Sequence, residues 1–174
     1  MLRSTFRRRS ASRSNSSAVH VRGFTLIELV ITVAIVGLLA TVAMPLAKMT
    51  AQRLKESELR TALRDLRTGI DAYKRAVDEG RIAVEIGASG YPASLDLLVD
   101  GVDNARDPEK SKIYFMRRLP RDPFFPDSAA KPADTWGPRG YKSPPNDPQP
   151  GDDIYDIHSI SKGVGLNGVP YQDW

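Results

Sequence analysis

One long apolar segment near the start of the chain constrains its fold more than any other feature. Residues 24–44 form a run of 21 residues in which Glu28 is the only charged side chain. A helix of that length, rising about 1.5 Å per residue, crosses the roughly 30 Å hydrocarbon core of a bilayer. A carboxylate in such a segment costs about 3 kcal/mol to insert, so it normally has a functional reason and a partner. The run therefore predicts a membrane helix in which Glu28 has a specific role.

The apolar pattern narrows to a single stripe in the second half of the predicted helix. Six apolar residues follow one another at spacings of four and three, with charged residues between them: Leu59, Leu63, Leu66, Ile70, Tyr73 and Val77. This period predicts an amphipathic helix that ends near Gly80. The stripe covers fewer than three heptads, which favours packing on the chain's own head over a coiled coil.

The C-terminal part of the chain is rich in proline and predicts short strands and loops. Nine of the 13 prolines lie between Pro120 and Pro150, a density that excludes regular helix there. We expect two antiparallel strands at residues 140–143 and 153–159, joined by a loop at 144–152, and a short helix capped by Ser94. The predicted fold is α+β: a long N-terminal helix, transmembrane and then amphipathic, packed on a small antiparallel β-sheet head.

The net charge of +4 comes from the N-terminus. Residues 1–22 contain six arginines and no acidic residue, and the remainder holds 19 basic and 21 acidic residues, a balance of −2. A nucleic-acid partner therefore has no support from charge once this segment is set aside. The sequence has no cysteine, which excludes disulfides and thiolate metal sites. We predict three segments: residues 1–23 as a basic N-terminal segment, 24–45 as a transmembrane helix and 46–174 as a head.

The junction between the basic segment and the apolar run carries a recognisable motif. A basic leader ends in Gly23 and is followed by Phe24-Thr25-Leu26-Ile27-Glu28-Leu29. This arrangement resembles the prepilin motif of the type IV pilin and type II secretion pseudopilin superfamily. The resemblance implies an α+β pilin-like fold, cleavage between Gly23 and Phe24 by a prepilin peptidase, and N-methylation of Phe24. A mitochondrial transit peptide and a cleaved secretory signal are the alternatives, and neither accounts for Glu28.

If the leader is cleaved before Phe24, electrostatic attraction predicts a partner for Glu28. Cleavage creates an amino group on Phe24, and opposite charges attract strongly where the dielectric constant is low. We expect Glu28 to pair with the Phe24 amine of a neighbouring subunit and so to set the register of assembly; a carboxylate that reaches the headgroups, or is protonated, is the alternative. Gly23 has no Cβ to obstruct the peptidase. The arginines before it predict a cytoplasmic N-terminus and a periplasmic head in an inner membrane.

The head also resembles the G-type, major pseudopilin of type II secretion. The matching residues are Tyr91-Pro92, Ser94-Leu95, Leu119-Pro120-Arg121-Asp122-Pro123, Asp134-Thr135-Trp136-Gly137, Tyr141, Ser143-Pro144, Asp153-Ile154-Tyr155-Asp156-Ile157, Ser159, Gly165 and Asn167-Gly168. The resemblance implies a Ca²⁺ site, for which Asp156 is the first candidate, followed by Asp152, Asp153 and Ser143. These are the hard oxygen donors that Ca²⁺ takes. The sequence departs from the family pattern at residues 168–173, and a solvated acidic surface is the alternative.

No arrangement of residues in the sequence predicts catalysis. His158 is the one histidine after the leader, and no nucleophile, phosphate-binding or metalloprotease motif is present. We predict a structural pseudopilin, not an enzyme, that polymerises with itself and other pseudopilins on an inner-membrane secretion platform into a periplasmic filament driving type II secretion. The alternatives are a type IV or minor pilin for adhesion, motility or DNA uptake, and a signal-anchored periplasmic domain that binds a ligand through Tyr141, Tyr155 and Trp136.

Overall fold

A computed structural model of the protein describes residues 23–174. The predicted leader, except for Gly23, lies outside these described residues. The chain divides into two compact units at the junction of Ala43 and Met44, and each is described by itself below. This junction lies close to the predicted end of the transmembrane segment at residue 45, and the predicted segment boundaries stay predictions.

The first unit, residues 23–43, consists of the start of helix α1 (Leu26–Asp78). Its described side chains are exposed and almost entirely apolar. The two threonines within the helical part satisfy their hydroxyls locally: Thr32 donates to the carbonyl of Leu29 at 2.9 Å and Thr41 to that of Leu38 at 2.6 Å. The helix is long and apolar enough to cross a membrane, as its composition predicts.

In the second unit, residues 44–174, one face of α1 packs against the rest of the head. The predicted stripe is confirmed: five of its members are buried and Val77 is half-buried. Around the stripe lie buried residues from the rest of the head: Leu95, Leu98, Trp136, Ile154, Ile157 and Tyr171. The apolar face is therefore covered by the chain itself, as predicted, and a coiled coil is not needed to bury it.

Helix α1 ends as the sequence predicts, at a glycine. Gly80 has a φ of +67°, a conformation that favours residues without a Cβ. The amide of Gly80 donates to the carbonyl of Val77 and that of Arg81 donates to the carbonyl of Ala76, both at 2.8 Å. These two bonds define a Schellman motif, which satisfies carbonyls that the last helical turn leaves unpaired.

The head contains a short helix and four short strands. Helix α2 covers Leu97–Asp100. Strands β1 (Val102–Asp103) and β2 (Lys112–Ile113) form one antiparallel pair, and β3 (Trp136–Arg139) and β4 (Asp156–Ser159) form another. Two 3-10 turns occupy Pro132–Thr135 and Tyr171–Asp173. The α+β architecture and the small antiparallel head are thus confirmed.

Three local predictions are wrong in position. The first strand lies at Trp136–Arg139, whereas residues 140–143 form a turn. Strand β4 begins at Asp156, three residues later than predicted. Helix α2 begins at Leu97 with Asp96 preceding it, so Ser94 is not its cap. The error in the position of the first strand has a physical cause. Gly137 and Pro138 are residues that sequence patterns do not assign to strands, whereas burial of Trp136 in the core fixes the position of β3.

The stripe gives a direct stability test in Leu66, which is completely buried. Leu66→Ala leaves a cavity in the core, so we expect the free energy of unfolding to fall by about 2–5 kcal/mol. Leu54→Ala on the same helix is the matched control, because Leu54 is 64% exposed and its truncation costs less than about 0.5 kcal/mol. The measurement is denaturant unfolding of the full chain in detergent micelles, followed by tryptophan fluorescence. Equal losses in the two variants would contradict this packing.

Candidate functional site

The predicted cleavage site lies in an open, non-helical segment immediately before α1. Gly23 and Phe24 are exposed, and Phe24 retains 80% of its accessible surface. A Cβ built on Gly23 meets no atom within 4 Å. The described part of the chain therefore leaves this backbone accessible, which a peptidase requires. Cleavage here and methylation of Phe24 stay predictions.

Thr25 caps the helix that begins after the predicted cut. Its hydroxyl accepts the amide N–H of Glu28 at 3.2 Å, and its carbonyl accepts that of Leu29 at 3.1 Å. A Thr followed three residues later by Glu is the sequence pattern of a capping box. The sequence analysis missed this role, although the pattern was visible. The cap fixes the start of the helix two residues after the cut and thereby sets the spacing between Phe24 and Glu28.

Glu28 lies in the first turn of α1 and is exposed. A carboxylate in the first turn interacts favourably with the helix dipole. Among the salt bridges of residues 23–174 none includes Glu28. The assembly role of Glu28 stays a prediction that this position supports.

Three of the four predicted calcium donors, Asp156, Asp153 and Ser143, already have partners of other kinds. Asp156 accepts from Arg67 Nε at 2.8 Å and lies 3.5 Å from Arg139 Nη2. Asp153 accepts the amide of Tyr141 at 2.7 Å, and Asp152 is exposed.

The fourth donor, the Ser143 hydroxyl, is held within its own loop. It donates to the carbonyl of Asp147 at 3.1 Å and accepts the amide of Gln149 at 2.7 Å. In the described residues, no three carboxylate or histidine side chains come together as a metal-binding group. The four predicted donors do not fit a calcium site in this arrangement, and calcium binding stays a prediction.

A second carboxylate, which the sequence analysis did not single out, organises the end of the head. Glu56 on α1 is only 4% exposed. Its Oε1 accepts from the amide of Leu166 at 2.8 Å, from the Tyr171 hydroxyl at 3.0 Å and from Gln52 Nε2 at 3.0 Å. Leu166 and Tyr171 belong to the C-terminal segment, more than 100 positions away in sequence, whereas Gln52 lies one turn earlier on α1. In the sequence, Glu56 is a charged residue next to the apolar stripe. Sequence alone cannot distinguish a buried glutamate at such a position from a solvent-exposed one.

The hydrogen bonds decide the ionisation of Glu56. Burial alone favours the protonated form, but the bonds from Leu166, Tyr171 and Gln52 outweigh it and leave the pKa of Glu56 below its ordinary value of 4.5. Burial, assisted by the neighbouring carboxylate, raises the pKa of Tyr171, so its hydroxyl remains a donor. Glu56 is therefore an ionised anchor between α1 and the C-terminal segment, held through its Oε1.

The predicted aromatic ligand face is not formed. Trp136 is only 3% exposed and its indole N–H donates to the carbonyl of Pro120 at 3.0 Å. Tyr141 and Tyr155 instead cluster with Tyr91, with ring centroids 5.0–5.6 Å apart. His158 is half-buried, and burial lowers its pKa.

Comparisons with known proteins agree with the geometry at the N-terminus. A family model described as the prokaryotic N-terminal methylation motif matches residues 20–44. The type IV major pilin protein PilA of Myxococcus xanthus is 45% identical over 67 residues, which are 38% of this chain and 30% of that protein. The type II secretion system core protein G of Klebsiella michiganensis is 26% identical over 107 residues, 59% of this chain and 68% of that protein. No solved structure matches the chain.

The apolar helix and the methylation motif define a membrane-anchored, single-pass protein with a small α+β head. With the two relatives, they support a place for the chain in the type IV pilin-like and pseudopilin superfamily. The chain spans less than a third of the first relative's length and about two thirds of the second's.

The Glu56 anchor predicts a specific acid sensitivity. A carboxylate whose pKa is lowered in the folded state stabilises it fully above about pH 4.5 and loses that contribution as the pH falls through the folded pKa. Glu56→Gln removes the charge, so we expect it to lower the free energy of unfolding at pH 7 by about 2 kcal/mol and to flatten the profile below pH 4.5. The measurement is denaturant unfolding of the full chain in detergent across this range.

Glu58→Gln is the matched control, because Glu58 is exposed on the same helix. We expect it to keep the stability and the pH profile of the wild type. A Glu56→Gln variant that also keeps both would show that Glu56 does not anchor the C-terminal segment.

Proposed function

We propose that this protein is a structural subunit that polymerises, with itself and with other pseudopilins, into a periplasmic pseudopilus that drives type II secretion. The observation that carries the proposal is the N-terminal arrangement: an open Gly23–Phe24 segment, the Thr25 cap, and Glu28 in the first turn of an exposed apolar helix. Filament assembly uses each of these features, and an isolated anchored domain uses only the apolar helix.

The exposed apolar surface of residues 24–43 supports polymerisation. The side chains described in this range are exposed, and exposed apolar surface on this scale needs lipid or other protein against it. Lipid covers the helix while the subunit waits in the membrane. In a filament, the same surface packs against neighbouring helices, and the Glu28 carboxylate meets the Phe24 amine of the neighbour.

The head supports the secretion branch of the superfamily. The alignment with the core protein G of Klebsiella michiganensis extends over 107 residues, well beyond the N-terminal motif. The alignment with the Myxococcus xanthus pilin is shorter but more identical. It favours the second candidate, a type IV or minor pilin used for adhesion, motility or DNA uptake.

Orientation and processing follow from the same proposal. The arginine-rich segment before Gly23 favours a cytoplasmic N-terminus by the positive-inside rule, which directs the head, residues 46–174, to the periplasm. A prepilin peptidase removes the leader and an inner-membrane secretion platform adds the subunit to the filament. In this scheme, the protein is the substrate of an enzyme and has no catalytic task of its own.

Glu28→Ala tests the assembly step in a strain that lacks the chromosomal gene. We expect the variant to lose its leader normally, because the cut lies outside the helix, and to fail to form filaments or restore secretion. The reason is that the Phe24 amine of a neighbour loses its counter-charge in a low-dielectric setting. The measurements are a gel-mobility assay for cleavage, crosslinking in membranes for assembly, and the amount of secreted protein in the medium.

Glu58→Ala is the matched control for this experiment, because it removes an exposed carboxylate from the head part of the same helix. Normal cleavage together with normal assembly in Glu28→Ala would contradict the pairing. A gene deletion that leaves secretion intact but removes surface pili would favour the pilin candidate.

A further inference from the structure

Arg67 on α1 joins three separate parts of the head through one guanidinium group. Its Nε donates to Asp156 Oδ1 at 2.8 Å, and its Nη2 donates to the carbonyl of Ile157 at 3.2 Å and to a main-chain oxygen of Trp174 at 2.9 Å. The group therefore binds one carboxylate and two main-chain oxygens, and it connects α1 with β4 and with the C-terminal segment.

Carboxylate and main-chain oxygens are also the ligands that a Ca²⁺ ion takes from a protein. Arg67 thus engages the kind of donor set that the G-type resemblance assigns to calcium, including Asp156, the first predicted ligand. We propose that the guanidinium of Arg67 replaces a divalent cation in this head, which therefore folds without calcium. The proposal concerns what stabilises the head and does not depend on the secretion role.

A second guanidinium closes the same site from the other side. Arg139 lies with Nη2 3.5 Å from Asp156 Oδ2, donates to the carbonyl of Ser143 at 3.3 Å, and lies over the Tyr155 ring at 4.8 Å. Both oxygens of Asp156 thus face arginine nitrogens. A divalent cation at this carboxylate would meet two fixed positive charges within a few ångströms, and like charges at such distances repel strongly.

The remaining predicted ligands are kept away by the local chain path. Asp153 holds the amide of Tyr141 at the turn after β3, and Asp152 is exposed. Two backbone segments pack closely at this turn: a Cβ on Gly140 would approach the Cα of Gly151 to 2.9 Å. A calcium ion at Asp156 that also recruited Asp153 would compete with the Tyr141 amide for that carboxylate.

Thermal unfolding of the full chain in detergent micelles tests the proposal, with millimolar CaCl2 or EGTA as the only difference between samples. We expect the wild-type Tm to be the same in both. Arg67→Met keeps the length of the side chain but removes its charge and donors, and should lower the Tm by about 5 °C in both samples. Arg64→Met, at an exposed arginine one turn earlier, is the matched control and should leave the Tm unchanged.

A double-mutant cycle separates pairing from packing. If Arg67 acts through Asp156, the Tm of the Arg67→Met, Asp156→Asn protein should lie close to that of the lower single variant. Additive losses would show that Arg67 does not act through the Asp156 carboxylate and would overturn the proposal. A wild-type Tm that CaCl2 raises over EGTA, with the increase absent from Asp156→Asn and not produced by MgCl2, would overturn it as well.

Discussion

The head depends on one apolar stripe of α1. Leu59, Leu63, Leu66 and Ile70 share one buried cluster with later residues of the head, among them Leu95, Leu98, Trp136, Ile154, Ile157 and Tyr171. The strands themselves are short: none exceeds four residues and they form two separate pairs. Short isolated pairs are marginal in water without a packed apolar face. The helix therefore serves as the platform on which otherwise weak elements fold, and its stability determines theirs.

Two polar side chains on the same helix, Glu56 and Arg67, position the parts of the head that pack on the stripe. Glu56 binds the C-terminal segment with two hydrogen bonds, from Leu166 and Tyr171, and Arg67 binds β4 and Trp174. These two side chains have opposite charges and both connect residues far apart in sequence. Apolar packing is not directional, whereas bonds to charged groups are directional and strong. The two anchors thus give the loop-rich end of the head one defined arrangement, which a subunit of a regular filament needs.

The sequence predicted the parts of this structure that depend on periodicity. The long helix, its buried stripe and its end at Gly80 follow from residue spacing and from a glycine with positive φ. The position of β3 could not be predicted, because Gly137 and Pro138 carry no strand pattern and the strand is fixed by burial of Trp136. The partners of Asp156 were also hidden, since Arg67 is 89 residues away along the chain. Contacts of that separation leave no local pattern.

The most direct test is whether the segment before Phe24 is removed from the mature protein. Intact mass and N-terminal sequencing of the protein from membranes, in cells with and without a prepilin peptidase, measure this removal. The account predicts a mature chain that begins at Phe24 and carries one additional methyl group only when the peptidase is present. A chain that keeps residues 1–22 in both strains would contradict it, and the function would then have to be sought in the head alone.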